Sequence, residues 1–356
     1  MERFNEIIAI SEKGFPQGSF DWLRLRLSGW GSSEIPSLMG RNPFKYSNAC
    51  VAEKAFLVES NFCNAFMEHG KKYEDVVTAY IARRYGSKVY KTTCVPTKIP
   101  DEVADGCEGY DIMFDSSDGQ LIIDGKPVVI EIKCPAKRKI KSSIPGYYAD
   151  QVQNHLFNTG FERCIYIDCD IRKTDELVEG GKDKSGLIGI SPTVHGTIIP
   201  ETWPGDSPDW ETRARAEILA IAPDAVAEYW AINDIAIIDE KPNRRWFREV
   251  YPVLTSQWDI VMKYRNLLID EIIRIAGLSA KSGPALAELK GLLALLLGIR
   301  PEFDSELARH LSTTKGMIAK LRETFASAIN TARGLVIQSF WEDMRSLRAG
   351  GAGGDD

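Results

Sequence analysis

No two of the seven cysteines stand in a Cys-x-x-Cys pair; they fall at 50, 63, 94, 107, 134, 164 and 169. An odd, scattered set of this kind excludes a disulfide framework and a zinc ribbon, and reads as reduced thiols in a cytosol. Long apolar runs are missing too. The longest, Leu292 to Ile299, is far short of the ~20 residues of a membrane span, and charges break up the N-terminal stretch MERFNEIIAISEKGF before it could serve as a signal peptide. Nor is there an excess of basic charge: 44 Lys and Arg against 50 Asp and Glu leave a net charge of -6. That excludes a uniformly basic surface but leaves room for a local basic groove. With 44% apolar residues and eight Trp, the 356-residue chain can fill packed cores. At roughly 100–200 residues per domain its length suggests two of them.

What is present changes period along the chain. Ser33 is placed to cap a short helix running to Gly40. From Met67 to Tyr85, the residues Tyr73, Val76, Val77, Tyr80 and Ile81 repeat at helical spacing and predict one buried stripe, ended by Gly86. Short β-rich runs follow at Lys88–Val95, Tyr110–Phe114, Leu121–Ile123 and Val128–Lys133. Asp118-Gly119 and Asp124-Gly125 between them offer the positive-φ positions of tight hairpins, so an antiparallel meander is expected. A helix over 146–159 and a strand from Cys164 to Asp170 come next. Residues 171–208, rich in Lys, Asp, Gly and Pro, read as a mobile insertion. After 209 the pattern is helical, over 209–231, 245–276, 283–298 and 302–347. The expected division is thus a mixed α/β core over 1–235, a helical region over 236–348 and a disordered tail over 349–356.

The chemistry concentrates in Asp111 and, nineteen residues later, Glu131-Ile132-Lys133-Cys134-Pro135. Side chains alternate on a strand, so Glu131 and Lys133 share one face while Val128, Ile130 and Ile132 share the other. Two acids and a lysine gathered on a sheet suit phosphodiester hydrolysis. Asp111 and Glu131 are hard oxygen donors for Mg2+ or Mn2+, which polarises a phosphoryl oxygen and acidifies water. Lys133 can hold that water or stabilise charge growing on the phosphate. A bare Glu-x-Lys is by itself most often a solvated ion pair. Two neighbours favour the functional reading here. Lys137, Arg138, Lys139 and Lys141 follow at once, a local patch of the kind that grips a phosphate backbone. Glu74, beside the helical stripe, is a further candidate acid for the metal. On the 146–159 helix Tyr148, Gln151, Val152 and His155 form one stripe, and His155 reads more readily as a satisfied core histidine than as a catalyst.

In order along the chain, Trp22-x-x-x-Arg26, Ser32-Ser33-Glu34, Gly70-Lys71-Lys72-Tyr73-Glu74, Asp111, Glu131-Ile132-Lys133-Cys134-Pro135 and Tyr148-x-x-Gln151-Val152-Gln153 resemble the lambda-exonuclease and YqaJ-type viral recombinase group of the PD-(D/E)XK nucleases. The resemblance implies a restriction-endonuclease-like α/β core with a central mixed sheet flanked by helices. It makes Asp111, Glu131 and the Ile132 carbonyl metal ligands, Lys133 the catalytic lysine and Glu74 an acid serving the metal. It places Arg26 and Ser33 where the family grips phosphate, and Gln151 along the site. It further implies double-stranded DNA ends as substrate, attacked 5′ to 3′, a single-strand annealing protein as partner, a homo-oligomer that is trimeric in some members, and a phage or prophage origin in a bacterial cytoplasm. Gly109-Tyr110 stands where the family often has Ser-Pro. Two other readings stay open: a restriction-like or Cas4-like endonuclease of the same fold, and a DNA-binding or assembly protein with a vestigial nuclease core.

Overall fold

The computed structural model describes residues 1–12, 19–59, 65–96, 112–178, 184–277, 284–299 and 303–351. Helices α1 (Glu2–Glu12) and α2 (Phe20–Arg26) precede strand β1 (Trp30–Gly31), and α3 (Ile35–Leu38), α4 (Ser47–Lys54) and α5 (Ala65–Tyr85) follow it. Next come β2 (Val95–Pro96), β3 (Met113–Asp115), β4 (Gly119–Ile123), β5 (Lys126–Lys133), α6 (Gly146–Thr159) and β6 (Cys164–Thr174). Strands β7 (Ser185–Ile190) and β8 (Thr197–Ile198), helix α7 (Trp210–Ile221) and strand β9 (Val226–Glu240) lead to the C-terminal helices. These are α8 (Arg244–Ile275), α9 (Pro284–Gly298), α10 (Asp304–His310) and α11 (Lys315–Gly351).

The chain divides into two compact units. One comprises residues 1–9, 62–92 and 116–243 and is built on a mixed sheet in the order β4-β5-β6-β9-β7-β8. The hairpin β4–β5 is antiparallel, and Asp124 (φ 50°) and Gly125 (φ 73°) turn it as the Asp-Gly signal predicts. Strands β5 and β6 are parallel, which requires a crossover, and α6 supplies it. Val128, Ile130 and Ile132 pack with Tyr73, Val76, Val77, Tyr80 and Ile81 of α5 in the main core. Each such side chain contributes about 1.5–3 kcal/mol on burial. This is a mixed α/β fold with helices on a central mixed sheet.

Gly119, the first residue of β4, sits where a Cβ would come within 2.5 Å of Val89 Cγ1 and 3.2 Å of the Tyr90 carbonyl. Tyr90 is also bridged to Gln120, so that backbone cannot withdraw freely. Gly119→Ala is expected to destabilise this unit by about 1–3 kcal/mol, read as a lower denaturant midpoint with an unchanged m-value.

Several sequence expectations are corrected. Residues 171–208 do not form a separate excursion: β6 continues to Thr174, and β7 and β8 pair into the sheet, leaving 179–183 outside the described residues. The helix expected over 209–231 stops at Ile221; beyond Pro223, β9 begins at Val226, rich in β-branched residues. Lys88–Val95 makes only the Tyr90 bridge and the start of β2. The strand expected at Tyr110–Phe114 appears as β3, but it lies in the other unit, with β1 and β2. Ser33 does not cap its helix. Residues Ser32–Glu34 form a 3-10 turn, and the Glu34 carboxylate reaches back to the Gly31 N–H at 2.7 Å.

The second unit comprises residues 10–61, 93–115 and 244–356. It holds the small sheet β1-β3-β2, with β1 parallel and β2 antiparallel to β3, and the long helices α8 and α11. Trp30 is fully buried, donates from Nε1 to the Leu254 carbonyl at 3.0 Å, and meets Trp258 edge-on. Arg265 of α8 donates to the carbonyls of Lys54 and Leu27 at 2.7 and 2.6 Å. The helix expected over 302–347 is two helices, broken near Ser312 (φ 52°), after which Thr314 caps α11 by accepting from Met317 N–H. Helix α11 extends to Gly351, into the segment expected to be a disordered tail; 352–356 lie outside the described residues. Among the described residues no helix is long and apolar enough to cross a membrane.

Candidate active site

Strand β5 presents Glu131 and Lys133 on one face, as the alternation predicts. Glu131 is buried and holds two partners: the Lys133 ammonium at Oε1 and His155 Nε2 at Oε2, the latter at 2.8 Å. Burial alone would raise the Glu131 pKa, but Lys133 and His155 outweigh it and hold the group at about 2. The Lys133 ammonium is in turn kept charged: burial opposes it, but Glu131 and Asp118 prevail and push its pKa up. Its Nζ also lies 5.0 Å from the ring of Tyr148 on α6.

The second acid in this site is Asp118. The hairpin register pairs Gly119 with Ile130, so Asp118 stands one step past it, level with Glu131. Its Oδ2 accepts the Ile132 N–H at 2.6 Å. In a strand the N–H and C=O of one residue leave on the same side, so the Ile132 carbonyl is directed toward the Asp118 side as well. Burial, then the charges of Glu131 and Glu74, raise the Asp118 pKa well above the usual carboxylate value, against Lys133 and the Ile132 N–H. Glu74, on the first half of α5, is raised by burial with Glu131 and Asp75, while Lys133 opposes. Sequence reasoning missed Asp118 because Asp118-Gly119 was read as turn chemistry. The signal was its place across the hairpin from Glu131. Asp111 lies outside the described residues.

Three carboxylates therefore compete for one ammonium, and the two not paired to it resist ionisation. Among the described residues, no three His, Cys, Asp or Glu side chains are gathered closely enough to cage an ion as they stand. The donor set nevertheless fits a hard divalent cation: carboxylate oxygens and a strand-edge carbonyl, with negative charge in surplus.

The basic run after β5 is divided. Arg138 forks onto buried Asp168, with Nη1 and Nη2 at 2.5 and 2.6 Å from the two oxygens, and Asp168 is the register partner of Lys133 on β6. Arg172 donates to the Ala136 carbonyl at 2.5 Å. These two contacts pin the segment beside the site. Lys137 and Lys139 are exposed, with Lys137 Nζ lying 5.1 Å from the Phe66 ring. Gln151 is buried on α6 one turn before His155, and Gln153 is committed to Glu240, the Lys241 carbonyl and the Asn243 N–H.

Arg26 and Ser33 belong to the second unit. Arg26 lies 4.8 Å over the Trp22 ring and pairs with Glu34 at 3.1 Å; Ser33 is exposed in the adjoining turn. Glu34 also pairs with Lys54 at 3.1 Å. Burial would raise the Glu34 pKa, but the two cations and the Gly31 N–H bring it to about 2. Lys54 is pulled to about 8, because burial and the charge of Arg26 together outweigh the single carboxylate.

The chain is 23% identical to a protein of Acanthamoeba polyphaga mimivirus over 71% of its own length and 53% of that protein's. It is 31% identical to a protein of African swine fever virus over 54% of its own length and 60% of that protein's. It thus spans little more than half of these curated viral relatives. Among solved structures it is similar to the alkaline exonuclease LHK-Exo from Laribacter hongkongensis, with 14% identity and a TM-score of 0.42 over 72% of this chain and 100% of that one. That likeness is too loose to argue the site from. The family comparison covers one stretch of sequence, in which Arg26, Glu74, Asp118, Glu131, Lys133 and His155 all fall. Residues 21–162 match the YqaJ-like viral recombinase domain, the group that the ordered motifs from Trp22 to Gln153 resemble.

Proposed function

We propose that this protein is a metal-dependent DNA exonuclease that degrades double-stranded DNA from its ends, 5′ to 3′, in viral or phage-type recombination. The observation that carries the reading is the set Glu131, Lys133, Asp118 and Glu74 at the end of a β-hairpin, within a YqaJ-like segment. Asp118, Glu131 and the Ile132 carbonyl would hold the metal, with Glu74 beside them and Asp111 as a further ligand. Mg2+ or Mn2+ there supplies Lewis-acid polarisation of the phosphoryl oxygen and a more acidic water. Lys133 orients the attacking water and stabilises charge on the phosphoryl group. The water oxygen bonds to phosphorus, the P–O3′ bond breaks, a proton passes to O3′, and the released product keeps its 5′-phosphate. Lys137, Arg138 and Lys139 line the approach of the duplex, Arg138 chiefly by fixing the segment. Arg26 and Ser33 take a terminal phosphate, and Gln151 lines the site. A single-strand annealing protein and further copies of the chain, as in a trimer, are the expected partners, in the cytoplasm of the host cell.

Linear duplex carrying a 5′-phosphate is expected to disappear in Mg2+ and persist in EDTA, with closed circular DNA intact in both. Nicking of the circle would make the enzyme an endonuclease. Survival of every substrate under Mg2+ and Mn2+ would refute the nuclease reading.

A further inference from the structure

The carboxylate of Glu131 is held at both ends, and the two ends differ. At Oε1 its partner is Lys133, whose side chain keeps 22% of its surface exposed; at Oε2 it is His155, fully buried on α6. Strand β5 fixes where the Glu131 backbone lies but leaves several rotamers open to the side chain. The hydrogen bond from His155 removes that freedom. Thr159 Oγ1 donates to the His155 carbonyl at 2.7 Å, and Gly160 (φ 68°) closes the helix just beyond, so the histidine is delivered from a well-ended turn. Because Glu131 is ionised, His155 Nε2 carries the proton and donates.

We infer that His155 is the positioning residue for the metal-binding carboxylate: it anchors Glu131 Oε2 on the buried side so that Oε1 is presented, beside Lys133, on the open side. This rests on the proposed nuclease reading and deepens it. Lys133 cannot serve the same end, since it contacts the oxygen that a cation would take. Gln151 and Tyr148 sit on the same helical stripe, and neither is in hydrogen-bond contact with Glu131 among the contacts described. Outer partners that orient a ligand typically change metal affinity by about 10- to 100-fold when lost.

The test compares His155→Gln and His155→Asn in the full-length protein. A glutamine amide reaches the place of Nε2; an asparagine amide reaches only that of Nδ1. Mn2+ affinity is measured by the EPR signal of free Mn2+, with circular dichroism to establish folding. Glutamine is expected to bind Mn2+ nearly as wild type does, and asparagine about 10- to 100-fold more weakly, with cleavage restored at high Mn2+. A folded asparagine variant with wild-type affinity would overturn the inference. So would a folded glutamine variant that has lost Mn2+, a result that stands even if the asparagine variant does not fold. A wild-type protein that binds Mn2+ without cutting DNA would remove the nuclease reading alone, and the difference between the two variants would still support the role of His155. A wild-type protein that binds no Mn2+ would overturn both.

Discussion

Lys133→Ala is expected to lower the rate of duplex degradation by about 10²- to 10³-fold at saturating Mg2+ while leaving DNA binding largely intact. Lys133 acts on Glu131, Asp118 and Glu74 alike, and its charge is secured by the acids around it. On the proposed reading, a cation held by those acids would take over the neutralisation of Glu131, and Lys133 would serve the phosphoryl group, most strongly as charge develops in the transition state. Saturating metal matters to the test, because Lys133 also neutralises Glu131 and its loss alters metal affinity. Arginine should rescue little: a rigid planar fork does not reproduce the compact ammonium that meets Glu131 Oε1 and lies 5.0 Å from the Tyr148 ring. Initial rates on linear duplex, set against gel-shift affinity in EDTA, separate the two effects. An alanine variant that cuts at the wild-type rate would show that the site has been misassigned.

Much of this site was legible because strands alternate. Glu131 and Lys133 on one face, and Val128, Ile130 and Ile132 on the other, follow from a period of two, and the α5 stripe follows from a period of 3.6. What alternation does not reveal is which residue stands across the ladder. Asp118 was visible as half of a turn signal, yet its role depends on register, and register is set by the length of the Asp124-Gly125 hairpin. Arg138 illustrates a second limit. As one of a run of basic residues it reads as a phosphate ligand, and only the parallel pairing of β5 with β6 brings Asp168 beneath it. Strands β7 and β8 were hidden because a short glycine-rich run such as Ser185-Gly-Leu-Ile-Gly-Ile190 shows little pattern until a neighbouring strand claims it. Glu34 was passed over for Ser33, since a serine before a helix is the commoner cap. The carboxylate won because Arg26 and Lys54 give it charge to neutralise as well as an N–H to accept.

That carboxylate also makes the second large effect. Among the described residues Glu34→Ala leaves buried Lys54 with the carbonyls of Arg26 and Gly29, each at 2.8 Å, and without its paired carboxylate, which is expected to destabilise its unit by about 3–5 kcal/mol. The pH dependence has a definite sign. The folded pKa of Glu34 is depressed, from 4.5 to about 2, so its contribution is complete above 4.5 and fades as pH falls toward 2. A shift of that size corresponds to about 3 kcal/mol. Lys54 titrates near 8 and stays protonated throughout this acid window, so the loss belongs to the carboxylate. Urea midpoints of wild type and Glu34→Gln should therefore converge between pH 6 and about pH 3. A gap of constant size over that range would show that Glu34 acts only through packing. The same cluster bears on Arg26 as a probe of DNA ends. Arg26→Ala leaves Glu34 still paired with Lys54 at 3.1 Å, but it removes a largely buried partner, so the urea midpoint is measured beside the activity. An Arg26 variant that keeps the wild-type midpoint yet fails on 5′-phosphorylated ends would have lost a phosphate contact.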